Sequence, residues 1–160
     1  SAPGAAPAAT AAAPGADGLA EVTLSGQRLA FGCCRLTAER GGSTRMVGDR
    51  FVVKVRLAIS ATADVRGFQE AAESECEALD GRVLIPESGE VATAAGQLRV
   101  AFEDGTRFEL PDTHCVLVPA RQVTPAVVAA MLLDRLCSVV AASGPVAASM
   151  RWLEVSVANG

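Results

Sequence analysis

The sequence predicts an α+β fold: a mainly antiparallel sheet with two helices on one face. Three observations carry that reading. Residues 51–60 alternate strictly, with Phe51, Val53, Val55, Leu57 and Ile59 on one side and Lys54, Arg56 and Ser60 on the other, the signature of a half-buried strand. Residues 67–79 repeat apolar side chains at helical spacing. The element order is strand, strand, helix, short strands with a hairpin, helix, strand.

Taken in order, residues 1–18 are rich in Ala, Pro and Gly. Pro and Gly break helices and Ala buries little, so this segment is expected to be a disordered arm, with 19–160 forming a single domain. It has neither the basic start nor the Leu- or Val-rich stretch of a signal peptide. Val22 to Cys34 reads as a strand with a break near Gly26, and Gly41-Gly42-Ser43-Thr44 as a loop. In the helix from Gly67 to Leu79, Phe68, Ala71 or Ala72, Cys76 and Leu79 form the apolar stripe, and Glu70, Glu73, Glu75 and Glu77 are expected on the solvated side. Arg82 to Ile85 is a short strand stopped by Pro86. Leu98–Phe102 and Thr106–Leu110 flank Glu103-Asp104-Gly105, a hairpin signal. Val116–Val118 is a brief strand. Thr124-Pro125 starts a helix, because threonine caps free N–H groups and proline has none to lose. That helix runs to about Val140, its stripe partly marked by Val128, Met131, Leu132, Arg135 and Val139. Gly144-Pro145 stops it, and Trp152–Ala158 is the last strand.

Composition excludes several classes of function. The chain has 160 residues and a formal net charge of −4, a balance that argues against nucleic acid. Lys54 is its only lysine and tyrosine is absent, so stacking platforms for bases are not expected. No apolar run reads as long enough to span a bilayer, and no membrane partner is expected. Five cysteines, at 33, 34, 76, 115 and 137, show no paired spacing. Free thiols in a reducing cytoplasm are the simplest reading.

The run Leu79-Asp80-Gly81-Arg82-Val83-Leu84-Ile85-Pro86, followed by Leu110-Pro111, Val116-Leu117-Val118-Pro119 and Val123-Thr124-Pro125-Ala126, resembles the 6-pyruvoyltetrahydropterin synthase / 6-carboxytetrahydropterin synthase family. The resemblance reaches from about Phe31 to Asn159. It implies the tunnelling fold (T-fold), with a four-stranded, mainly antiparallel sheet, two helices on one face and an inserted hairpin. It also implies a homo-oligomer, trimer or hexamer, whose subunits close a shared barrel with sites between neighbours.

Members of that family bind zinc through three histidines, whereas this chain has one histidine in all. The first family histidine lies in a Phe-x-Ala-x-His-Arg-Leu stretch. Here the chain reads Phe31-Gly32-Cys33-Cys34-Arg35-Leu36, placing Cys34 near it. A His-Gly-His pair becomes Val47-Gly48-Asp49, in which valine offers no lone pair. Catalytic zinc usually takes three protein ligands; Cys34 and Asp49 supply two at most, a third from Cys33 or His114 is not indicated, and the plain alternative for both cysteines is a core thiol. No metal or cofactor is therefore expected. The loop that carries the family's nucleophilic cysteine has no thiol here. The catalytic Asp-His pair becomes Asp80-Gly81; Asp80 is either a base or substrate-orienting group, or a helix-end residue satisfying backbone N–H groups. The family's ring-gripping glutamate falls close to Asn159. Thr124 either contacts a ligand or simply caps its helix. Arg50 either supplies a permanent cation to the vacated cavity or faces solvent. His114 is the side chain whose ordinary pKa suits proton transfer at neutral pH, with Asp49 or Asp80 as partner.

On these residues the expected function is a divergent pterin-synthase-like protein without the zinc site. The first reading is a metal-independent lyase, cyclase or isomerase acting on a small polar or heterocyclic molecule. Its acid–base groups would be Asp49, Asp80 and His114, and its substrate contacts Arg50, Thr124, Asn159 and Cys34. The alternative is a non-catalytic ligand-binding or structural subunit. A true pterin synthase with unusual metal ligands is the third.

Overall fold

The computed structural model describes residues 8–11, 18–38 and 42–160. Four strands open the chain: β1 (Ala8–Ala11), β2 (Leu19–Ser25), β3 (Ala30–Ala38) and β4 (Thr44–Ser60). β4 is the spine, 17 residues long. One of its edges is shared by β3, opposite Thr44–Val52, and β2, opposite Val55–Ser60. Its other edge holds the last strand, which pairs with it from Asn159 opposite Phe51 back to Met150 opposite Ile59. β2 and β3 are the two halves of the strand expected over 22–34. They separate at Gly26, whose φ of +149° is open to glycine alone, and Leu29 N–H closes the turn on the Gly26 carbonyl at 3.1 Å.

β4 also begins earlier than its alternation announces. Residues 44–50 include Gly48 and three charged side chains, so they lack an apolar face, yet β3 pairs with all of them. Ala8–Ala11, inside the segment expected to be a disordered arm, pairs antiparallel with β2; the rest of 1–17 and residues 39–41 lie outside the described residues.

After β4 come α1 (Arg66–Leu79) and β5 (Val83–Pro86), then β6 (Glu90–Ala94), β7 (Gln97–Ala101) and β8 (Arg107–Pro111), a 3-10 turn at Asp112–His114, β9 (Cys115–Val118), α2 (Pro125–Ala142), α3 (Gly144–Ser149) and β10 (Met150–Asn159). The main sheet is mixed, not the four-stranded sheet expected: it has seven strands, ordered β1-β2-β4-β3-β5-β9 with β10 on β4. β5 runs parallel to β3, and β9 parallel to β5. Parallel neighbours need long crossovers, which α1 supplies before β5 and the inserted β6–β8 unit supplies before β9. That insert is a three-stranded antiparallel sheet rather than a hairpin. β6 was not foreseen because Val91 is its one residue turned inward.

Two apolar clusters follow from strand alternation. On one face, Phe31, Phe51, Val53, Val55, Leu57 and Ile59 meet Phe68, Ala72, Cys76 and Leu79 of α1 and Val128, Leu132 and Leu136 of α2. Both main helices thus lie on one face, as expected. On the other face, Leu36, Val83 and Ile85 meet Leu98 and Val100 of the insert. Thr44 pins the insert to β4: its N–H and hydroxyl both donate to Asp104 Oδ2, the hydroxyl at 2.8 Å, while Thr106 N–H donates to Oδ1 at 2.9 Å. These bonds favour the charged carboxylate, the Thr106 amide most, and hold Asp104 well below the usual carboxylate range.

Four helix expectations are corrected. Glu73 is not on the solvated side of α1; it is 4 % exposed, because it neighbours Cys76 on the inward face. The inward stripe of α2 is Val128, Leu132 and Leu136, whereas Arg135 reaches Glu75 on α1 at 3.1 Å. Gly144-Pro145 ends α2 but starts α3, since proline suits the first turn of a helix. Finally, α2 is 18 residues long with a mean hydropathy of 1.7, apolar enough to match a membrane-crossing helix by length and composition, although here its stripe packs on the sheet.

Candidate functional site

The candidate residues gather where the apolar face of β3 and β4 runs out. Beyond the Phe31–Phe51 contact (ring centroids 5.6 Å apart), the next pair of opposed residues on that face is Cys33 and Asp49, and the next is Arg35 and Val47. Arg35 Nε donates to Asp49 Oδ2, and its Nη1 donates to the Val123 carbonyl at 2.8 Å. The ion pair is sheltered: side-chain exposure is 25 % for Arg35 and 14 % for Asp49. Val123 is the residue before Thr124, so this pair also fixes the start of α2. Thr124 caps that helix, its Oγ1 accepting the Val127 N–H at 3.2 Å. Asn159 opposes Phe51 and is thus a diagonal neighbour of Asp49, a spacing of about 7–8 Å in a sheet.

Asp80 approaches from the end of α1. Its Oδ1 accepts the Gly32 N–H at 2.9 Å, and Gly81 N–H donates to the Gly32 carbonyl at 2.7 Å. The carboxylate stands where a neighbouring strand would place a carbonyl, so Asp80-Gly81 extends the β3–β5 pairing by one step. Gly81 makes that turn with φ +72°. Cys33 sits among these groups. Burial, and after it the negative charge of Asp49, push its thiol up to about 12. At neutral pH this disfavours the thiolate that a nucleophilic cysteine needs.

Three candidates are placed differently. Arg50 is exposed on the opposite face of β4; its carbonyl accepts the Gly160 N–H at 2.9 Å. Cys34 also points to that opposite face and packs beside the insert. His114 ends the 3-10 turn. Cys34, Val83 and Cys115 are register partners across β3, β5 and β9, which sets His114 two strand spacings, about 10 Å, from β3, on the side of β5 away from Asp49. An open depression of about 440 Å³ touches Gly32, Cys33, Cys34, Gly48, Asp49 and Arg50, so Cys34 and Arg50 border it although their side chains alternate to the opposite face. A larger hollow, about 560 Å³, lies on the insert, over Ala92 and Ala101 between Glu90, Arg99, Arg107 and Glu109.

Arg35 is the residue that the sequence reading missed. Strict alternation from Phe31 puts positions 31, 33 and 35 on one face, and five positions counted along Phe-x-Ala-x-His also land on 35 rather than 34. The donor set does not fit zinc. Val47 has no lone pair, and the Arg35 guanidinium is bound to the acceptors that Asp49 and Val123 offer. Among the described residues, no group of three or more His, Cys, Asp or Glu is arranged to hold a metal.

No protein-family model and no curated protein sequence matches the chain. Solved structures do. A catalytic-residue mutant of Plasmodium vivax 6-pyruvoyltetrahydropterin synthase superposes with a TM-score of 0.76 at 19 % identity, covering 88 % of this chain and 91 % of that one. Plasmodium falciparum 6-pyruvoyl tetrahydropterin synthase gives 0.75 at 17 % identity, with 88 % and 91 % covered. At such identity the likeness is one of fold, and the chain has the 6-pyruvoyltetrahydropterin synthase fold.

Proposed function

We propose that this chain is a zinc-independent, pterin-synthase-like protein acting as a non-catalytic ligand-binding or structural subunit. The observation that carries the reading is the commitment of its carboxylates. Asp49 is held by Arg35, and Asp80 by the Gly32 amide. A general base must be within reach of a substrate proton and free to take it. Asp49 is tied to a guanidinium and Asp80 spends its Oδ1 on a backbone amide, which supports a positioning role for both, and His114 lies on the far side of β5 from Asp49.

A homo-oligomer, trimer or hexamer with sites between subunits, is part of the proposal. Val52 and Trp152 are exposed on the sheet face opposite the helices, and among the described residues β10 pairs only with β4. Both features suit closure against further copies. The free cysteines favour a reducing compartment such as the cytoplasm.

A metal-independent lyase, cyclase or isomerase is the second reading, favoured by the open depression that brings Cys33, Asp49 and Arg50 to one rim. Assaying the purified full chain, with and without added zinc, for 6-pyruvoyltetrahydropterin formation tests the proposal. No product is expected. Product formation that Asp80→Asn or His114→Ala abolishes, with the oligomer intact, would overturn it in favour of catalysis.

A further inference from the structure

We infer that the Arg35–Asp49 ion pair, closed by the Val123 carbonyl, is an internal cross-link that does the joining work of a metal at this place in the fold. The inference rests on the zinc-independent reading above and deepens it. Three segments far apart in sequence meet at one guanidinium: Arg35 is 14 residues from Asp49 and 88 from Val123. The two partners are acceptors only, a carboxylate and a carbonyl. Oxygens of that kind, drawn together at a sheltered point, demand either a cation or a donor. Arg35 supplies both in one planar group, and its charge persists at every physiological pH. Lysine would not substitute, because a single ammonium does not fork to both acceptors.

The positions themselves converge. Arg35 and Val47 are directly opposed across β3 and β4, where Cβ atoms lie about 4.5–5.5 Å apart. Asp49 is two residues along the same strand and hence on the same face. Contact between Arg35 and Asp49 places the three side chains around one point. What occupies that point differs from a metal centre only in the side chains chosen. Removing one partner of a sheltered pair strands the other, which is where the stabilisation is felt.

Thermal unfolding of the full chain tests this in Arg35→Met, Asp49→Leu, the double variant, and the triple variant Arg35→His/Val47→His/Asp49→His. Arg35→Met is expected to lower Tm by about 6 °C, Arg35→Lys by nearly as much, and the double variant by clearly less than the sum of its two singles. EDTA should leave the parent Tm unmoved. The triple variant should gain a zinc-dependent, EDTA-reversible rise in Tm and a tetrahedral cobalt absorption band. Strict additivity of the singles, or a parent Tm that falls in EDTA, would overturn the cross-link. A folded triple variant indifferent to zinc would overturn the convergence of the three positions; if that variant fails to fold, the comparison of singles with the double decides. Product formation in the synthase assay would overturn the proposed function and leave the measured coupling standing, so the two failures are distinguishable.

Discussion

Replacing Glu73 with leucine should make this protein more stable. Glu73 lies on the inward face of α1, 4 % exposed, and its Oε2 has no hydrogen-bond partner among the described residues. Its Oε1 meets Arg28 at 3.3 Å, but that arginine is 66 % exposed. A buried acceptor left unsatisfied costs about 1–3 kcal/mol, and an ion pair with so exposed a partner returns at most about 1 kcal/mol. Leucine removes the unsatisfied oxygen, keeps most of the volume and adds apolar burial against the neighbouring core. The net expectation is a gain of about 1–2 kcal/mol. In urea this moves the midpoint up by about 0.5–1 M, and in a thermal scan it raises Tm by about 3–6 °C. Equilibrium urea unfolding of parent, Glu73→Leu and Glu73→Gln, with unchanged slopes, is the assay. Destabilisation by Glu73→Leu with Glu73→Gln neutral would refute the reasoning, since it would mean that Oε2 has a donor.

Thr124→Ala removes the cap of α2 and should cost about 1 kcal/mol, with Thr124→Ser recovering most of it, read from the same unfolding curves. Cys33 and Cys76 are both pushed up to about 12, so a thiol reagent at pH 8 should modify the exposed Cys137 quickly and these two only on unfolding; mass spectrometry of the labelled peptides checks the order. Asp104 titrates lower in the folded chain than its ordinary value of 3.8, so its bonds to Thr44 and Thr106 stabilise the fold above that pH and are lost as pH falls below it. Asp104→Asn should flatten this acid limb of stability, and an unchanged limb would exclude the mechanism.

Much of the architecture was legible because its elements obey one period each. The alternation over 51–59 set the spine of the sheet, Phe68, Cys76 and Leu79 set the inward side of α1, and Thr124-Pro125 fixed the start of α2 to the residue. The elements missed are those whose periodicity is interrupted. Residues 44–50 carry charges at 45, 49 and 50, which interrupt the apolar alternation, yet they pair with β3 throughout. Val91 is the one inward residue of β6, too little to mark a strand. Glu73 falls on the apolar stripe while carrying a charge, so its neighbours at 70, 75 and 77 made it look solvated.

The site was legible as a place more than as a set of contacts. Asp49, Asp80, Thr124 and Asn159 were assigned to one region; in the structure Asp49 and Asp80 flank β3, Thr124 follows the Val123 carbonyl that Arg35 reaches, and Asn159 opposes Phe51. Their partners were not readable, because each is made by tertiary pairing: Asp49 with Arg35, Asp80 with a backbone amide, Thr124 with the amide of Val127. Arg50 stands on the face opposite Asp49, one of the two placements expected of it, whereas Cys34 was set in the place of Arg35 by a shift of one residue. In a strand such a shift moves a side chain to the opposite face.

The central claim is that a guanidinium, and no metal, holds β3, β4 and α2 together at Asp49. Zinc content decides it most directly, measured by mass spectrometry on the full chain after equilibration with excess zinc and removal of the unbound ion. The account predicts no stoichiometric zinc in the parent. About one zinc per chain, retained on gel filtration and lost in Asp49→Asn, would contradict it.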